Sequence, residues 1–365
     1  MLKALTILFL VLCWVLSFVN FSGWGMMMGT PEKTNLIILV LAFLSLFRKT
    51  HTVIRLDPLL KFGLIATLIA IPLYLTGTLE GFNYFCAMIL VYVISRYKIT
   101  ATVIKPVCLA YAAGGLIILW IYLNQDILSG WNDNAISMVG LFSYLFFTTF
   151  LLLQNSRPKF IAWNIVTVVY LSYLYATDCR SGMVFSALAV ACIIFRSRVR
   201  KLLTHKIVDF LIINMPLIIA GIVIWIASTE YFQELDYWSF KNYQKGIFNA
   251  RELLWQYAFD LLAKTDYLGT GKFMLNYHNS GVAAISVFGI LGYLCWMCYF
   301  VSLLWQLRRY MRDPIVFGAT LCFCIIFLQQ SVDLGFINTT TNLIPYVALG
   351  VACGRVNTIS RPRRC

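Results

Sequence analysis

A chain of 365 residues that is 61% hydrophobic and 12% charged lies far from the balance of soluble domains, which are about 45–50% apolar and about 25% charged. A soluble enzyme is excluded. The net charge of +14 is a topology signal and not a nucleic-acid footprint, because the basic residues alternate by side between apolar runs of about 15 to 25 residues.

Each run suits a helix crossing about 30 Å of hydrocarbon. The predicted spans of the first half are 4–22, 34–47, 60–77, 81–95, 106–123 and 135–153. Those of the second half are 161–177, 181–195, 207–227, 281–305, 315–331 and 342–354. The expected fold is an all-α polytopic membrane protein of about twelve transmembrane helices. It forms one integral membrane domain over 1–365, with no room for a separate soluble unit. With both termini cytoplasmic, the inside segments hold 22 of the 29 Lys and Arg, opposed only by Asp57, Asp209 and Asp313. The positive-inside rule fixes that orientation, with attraction to anionic membrane lipids as a by-product. The first run has a Lys3 flank but no small-residue cleavage site between Ser17 and Ser22, so it is read as a span and not as a secretory signal. The cysteines lie mainly in apolar runs, where a thiol behaves as a small hydrophobe. Cys295 and Cys298 form a C-x-x-C inside the tenth span, which is read as packing and not redox chemistry.

Polar chemistry gathers on the expected outer face. Asp126 to Asn134 and Thr177 to Gly182 sit at span ends, and the second cluster places Arg180 at the interface, where a cation is costly unless paired or used. Pairing with Asp178 or Asp333 and ligand binding both remain open for it. The long external loop, 228–280, opens with Tyr231, Phe232, Tyr237, Trp238 and Phe240, aromatic residues suited to the headgroup zone. Residues 249–264 follow as an amphipathic helix, with Leu254, Tyr257, Ala258, Leu261 and Leu262 on the apolar stripe. Asn249 is the expected N-cap, with Glu252 three residues on. Arg251 then sits in the first turn, where the helix dipole disfavours a cation unless an anion such as a phosphate docks there. Gly269, Gly271 and Lys272 lack the spacing of a phosphate loop and are read as a turn. His278 is the only external histidine and a candidate proton acceptor near neutral pH.

The order of these features resembles the O-antigen ligase and O-antigen polymerase family over roughly residues 128–300. The carrying residues are Trp131-Asn132-Asp133-Asn134, Asp178-Cys-Arg180-Ser-Gly, Arg251-Glu-Leu-Leu-Trp, Tyr267-Leu-Gly-Thr-Gly, and His278-Asn279 before Phe288-Gly-Ile-Leu-Gly. The chain departs from the common pattern in having Asn132-Asp-Asn where many members have Asn-Pro-Asn. Its external loop is shorter than in many ligases, which favours a polymerase. The resemblance implies an inverting glycosyltransferase, independent of metal and cofactor, that joins glycans at the outer face of the bacterial inner membrane. The donor would be an undecaprenyl-diphosphate-linked oligosaccharide and the acceptor another glycan or a lipid A core, with a chain-length regulator protein as a further partner and no nucleic acid. It assigns His278 as base and Arg251 and Arg180 to the diphosphate, with Asn279, Asn132, Asp133, Asn134, Asp178 and Ser181 binding substrate. The rival reading is a lipid-linked glycan flippase or other multi-span transporter, which should carry charges within its spans.

Overall fold

The computed structural model describes residues 2–21, 30–46, 58–79, 81–124, 133–152, 157–177, 180–243, 246–332 and 342–360. The described residues form fifteen α-helices. In chain order these are α1 (Leu2–Phe21), α2 (Thr30–Leu46), α3 (Pro58–Thr76), α4 (Phe82–Ser95) and α5 (Ala101–Asn124). Next come α6 (Asp133–Leu152), α7 (Arg157–Ala176), α8 (Arg180–Ile194), α9 (Arg196–Leu202) and α10 (Lys206–Ala227). The last five are α11 (Glu230–Tyr243), α12 (Arg251–Lys264), α13 (Ser280–Leu307), α14 (Pro314–Gln329) and α15 (Ile344–Ile359).

All twelve apolar runs of the sequence coincide with helices, but the structure separates helix from span. Among the described residues only α5, α10 and α13 with its 3-10 extension to Tyr310 are long and apolar enough to cross a membrane. A fourth candidate is the pair Ser181–Ile194 and Arg196–Leu202, bent by 97° at Phe195. For the shortest of the other helices the reason is length. Fourteen residues of α4 rise only about 21 Å at 1.5 Å each, short of the roughly 30 Å of hydrocarbon.

The interior explains why these helices are apolar on every face. In α4, α14 and α15 nearly every residue is buried, with α4 packed on α15 and α15 on α14. Helices around them expose large apolar side chains outward: Leu5, Leu8 and Leu12 on α1, Ile161, Ile165 and Val168 on α7, and Ile207, Phe210 and Leu211 on α10. Water disfavours such a surface and lipid does not, so the chain has the exterior of a membrane-embedded protein. Polar side chains inside bridge helices: Trp14 Nε1 donates to Ser143 Oγ at 2.9 Å, Tyr111 to Leu10 O at 2.7 Å, and Tyr299 to Met88 O at 2.9 Å. At one helix crossing a Cβ on Gly115 would overlap Ser143, the small-residue contact that lets membrane helices approach. At the end of the bundle bearing the predicted cytoplasmic loops, Asp313 caps α14 and forms an ion pair with Arg355 of α15 at 2.8 Å.

Two features of the predicted tenth span differ from a straight helix. Gly289 interrupts α13 with φ 66° and ψ −174°, a region open essentially to glycine. The contacts with α10 show the bend. Trp305 reaches Lys206 O and Tyr293 reaches Asn214, yet Asn279 still touches Pro216. Residues 293–305 therefore run along α10, whereas 279–293 advance only two residues along it and cross it instead.

Candidate functional site

Asn279 organises the site. It is the N-cap of α13, its Oδ1 accepting from Val282 N at 3.0 Å. Its Nδ2 donates both to Pro216 O of α10 at 2.8 Å and to Ser331 O after α14 at 3.0 Å. Fully buried, with its amide engaged three ways, Asn279 has the bonding of a positioning residue. Because Pro216 lies at the middle of α10, the junction is sunk by about 16 Å, eleven residues at 1.5 Å, below the end of that helix. The sequence puts His278 at the membrane edge; along α10 it is recessed to half depth.

His278 itself adopts φ 48°, left-handed backbone that a non-glycine residue seldom takes. Its N–H donates to Asn276 Oδ1 at 3.2 Å, and on either side Tyr277 O accepts from Trp255 Nε1 at 2.6 Å while Asn279 is clamped. The imidazole is half-buried and its Nδ1 has no partner among the described residues. Burial lowers the His278 pKa from its ordinary value, and the neighbouring Arg251 guanidinium lowers it further. Both effects disfavour the imidazolium, so the ring is a neutral proton acceptor near pH 7.

Arg251 opens α12, as the sequence predicts, but the cap differs. The N-cap is Ala250, left-handed at φ 59°, with no side-chain hydrogen bond, and Asn249 is left-handed too. The first-turn donors are thus not closed off by a capping side chain. Arg251 Nη1 donates to Val332 O at 2.5 Å; the rest of its fork has no hydrogen-bond partner among the described residues. The buried stripe of α12 is rotated from the expected one to Trp255, Ala258 and Leu262, with Tyr257 exposed. The indole bond to Tyr277 O selects that face, and it brings Arg251, one turn earlier, to His278.

The turn after α12 is not a phosphate loop. Asp266 and Tyr267 join Gly269 and Gly271 at positive φ, and its backbone enters the break in α13. Thr270 N donates to Ser286 O at 2.8 Å, Gly271 N to Val287 O at 2.9 Å, and Ile290 N to Tyr267 O at 3.1 Å. Thr76 and Thr78 each donate to Gly271 O at 3.2 Å, tying the turn to the end of α3.

The structure brings Arg251, His278 and Asn279 together. Ser181 lies half-buried in the first turn of α8. Arg180 heads α8, and Asp133 and Asn134 open α6, but their side chains, like Asn132 and Asp178 altogether, lie outside the described residues. Trp255, Pro216, Ser331 and Val332 complete the site; Trp255 ends the Arg251-Glu-Leu-Leu-Trp motif, whereas the other three carry no signal in the sequence. Their parts are played by backbone carbonyls and an indole N–H; the buried Ser331 hydroxyl has no partner among the described residues. Compared with protein-family models and with curated proteins, the chain matches none.

Proposed function

We propose that the chain is an integral membrane glycosyltransferase. It polymerises or ligates undecaprenyl-diphosphate-linked glycan at the outer face of the bacterial inner membrane, polymerisation being favoured over ligation to lipid A core. In this reading about twelve helices embed the chain, both termini are cytoplasmic, and 228–280 faces outward. The observation that carries it is an imidazole whose charged form is disfavoured, beside an arginine most of whose donors have no partner among the described residues, at a junction recessed along α10.

The chemistry follows from those groups. A sugar–diphosphate bond breaks when the departing diphosphate is stabilised, a task for Arg251 with Arg180, where a preorganised cation in a low-dielectric recess acts strongly. The acceptor hydroxyl loses its proton to His278 as it attacks, and attack from the face opposite the leaving group inverts the anomeric carbon. No metal and no cofactor is required by this scheme. A transporter reading finds less support, because among the described residues the helix interiors carry few ionisable groups, where a transport path should hold them. Membranes containing the protein should transfer glycan from the lipid diphosphate donor without ATP, divalent metal or ion gradient. Gradient-driven movement of the intact lipid-linked glycan, with no new glycosidic bond, would replace this reading by the transport one.

A further inference from the structure

A cavity of about 660 Å³ opens where the end of α10, α11 and the first turns of α12 meet. Its volume is within the range of about 300–1,000 Å³ typical of small-molecule sites. It stands above the recessed His278, since its α10 wall is residues 224–228, some two to three turns beyond Pro216.

Two kinds of side chain line it. Trp225 and Tyr237 are 70% exposed and offer ring faces. Gln233, Asp236, Glu252 and Gln256 offer donors and acceptors. Glu252 Oε2 is buried without a hydrogen-bond partner among the described residues. Asp236 is fixed by Ile247 N at 2.6 Å, and Phe232, stacked on Phe248 with centroids 5.1 Å apart, fixes the floor of that corner.

Among the described residues no Lys or Arg lines the cavity, while two carboxyl groups do. Among those residues a phosphate or anionic lipid headgroup would meet no cation, and it would have to be desolvated beside acidic side chains. A neutral ligand rich in hydroxyls has the opposite fit: its O–H groups donate to carboxyl and amide oxygens, and its apolar ring faces cover Trp225 and Tyr237. We propose that this cavity binds uncharged carbohydrate and holds the acceptor glycan, separately from the cationic Arg251 and His278 site that takes the diphosphate donor. The acceptor role rests on the glycosyltransferase reading; carbohydrate binding does not. On α12 the two functions fall on adjacent faces, Arg251 and Trp255 toward His278, Glu252 and Gln256 toward the cavity.

The test is saturation-transfer NMR on the full chain in nanodiscs, with oligosaccharides released by mild acid from the surface polysaccharide of the source organism as probe. Saturation of the sugar protons is expected. It should fall about tenfold in Trp225→Ala and in Gln256→Ala, the factor equivalent to about 1.4 kcal/mol, and persist in Arg251→Ala. Both cavity residues are exposed, so the variants should fold, and Trp225→Phe should retain part of the signal. Absence of saturation in the wild type, equal saturation in both variants, or displacement of the sugar by phosphatidylglycerol overturns the proposal. Donor consumption is measured apart: sugar binding without it refutes the glycosyltransferase reading alone, and donor turnover without sugar binding refutes this cavity alone.

Discussion

His278 shows how a common residue type becomes chemically specific. Its pKa is lowered by burial and by Arg251, so the neutral ring persists below the ordinary value of about 6.5. Transfer should therefore hold through neutral pH and fall on acidification with a midpoint below that value; a rate flat between about pH 4 and 8 removes the histidine from the chemistry. Stability has the same sign. The unfolded chain binds a proton to this histidine more readily than the folded one, so its contribution is present above the unfolded pKa and lost as pH falls below it. His278→Asn should flatten that part of a melting-temperature profile while lowering transfer about 10²- to 10⁴-fold, the usual worth of a general base. Arg251→Lys keeps a charge but loses the planar fork. Donor turnover should drop substantially without loss of membrane insertion, and full turnover in membranes carrying Arg251→Lys would remove Arg251 from the diphosphate site.

At the scale of the helix, Gly289 is a position with little freedom to change. A Cβ there would stand 2.5 Å from Leu268 C and Tyr267 O, on a backbone conformation open essentially to glycine. Gly289→Ala should cost at least about 1–3 kcal/mol of strain and expel the turn from the break. Proteolysis at 265–273 reads that directly, and an unchanged cleavage pattern would mean the turn is held by other contacts. The break also marks the limit of what apolar periodicity conveys. Phe288-Gly-Ile-Leu-Gly reads as uninterrupted span because helix, kinked helix and crossing helix share one composition. Glu230–Tyr243 reads as aromatic surface, and its helix is not legible, since its exposed Tyr231, Tyr237 and Trp238 leave only a narrow buried stripe around Phe232. Asn249 makes a convincing N-cap on residue type, yet the cap is Ala250, because the chain must turn through two left-handed residues to aim Arg251 inward.

For the whole molecule, hydropathy locates all twelve apolar helices, because an apolar run excluded from water has few other options. It does not reveal which of them reach across a bilayer, since that depends on helix length and bending, and Phe195 and Gly289 bend two of the runs. The proposed sidedness has a direct check in intact spheroplasts. Lys264 and Arg198 are both exposed; Lys264→Cys should react with an impermeant thiol reagent and Arg198→Cys should not, and the reverse pattern would invert the topology. His278 and Arg251, 27 residues apart in the chain, are each legible as residue types. Their meeting is not, because it is arranged by Trp255, Tyr277 O and the Asn279 amide, all of them bonds to main-chain atoms.

In the proposed reaction, those same bonds would set the activation entropy. With Tyr277 O held by Trp255, His278 N by Asn276 and Asn279 by three partners, the main chain around the imidazole is immobilised before any ligand arrives. Ordering a free segment of that length would cost about 1–2 kcal/mol per residue; here only the side-chain torsions of the ring remain to be frozen. Folding has already met that cost, so the proposed transfer would begin from a ring whose position is settled, and an Asn279→Ala variant that still folds should lose rate chiefly through a less favourable activation entropy, visible as a changed intercept and a similar slope in an Eyring plot.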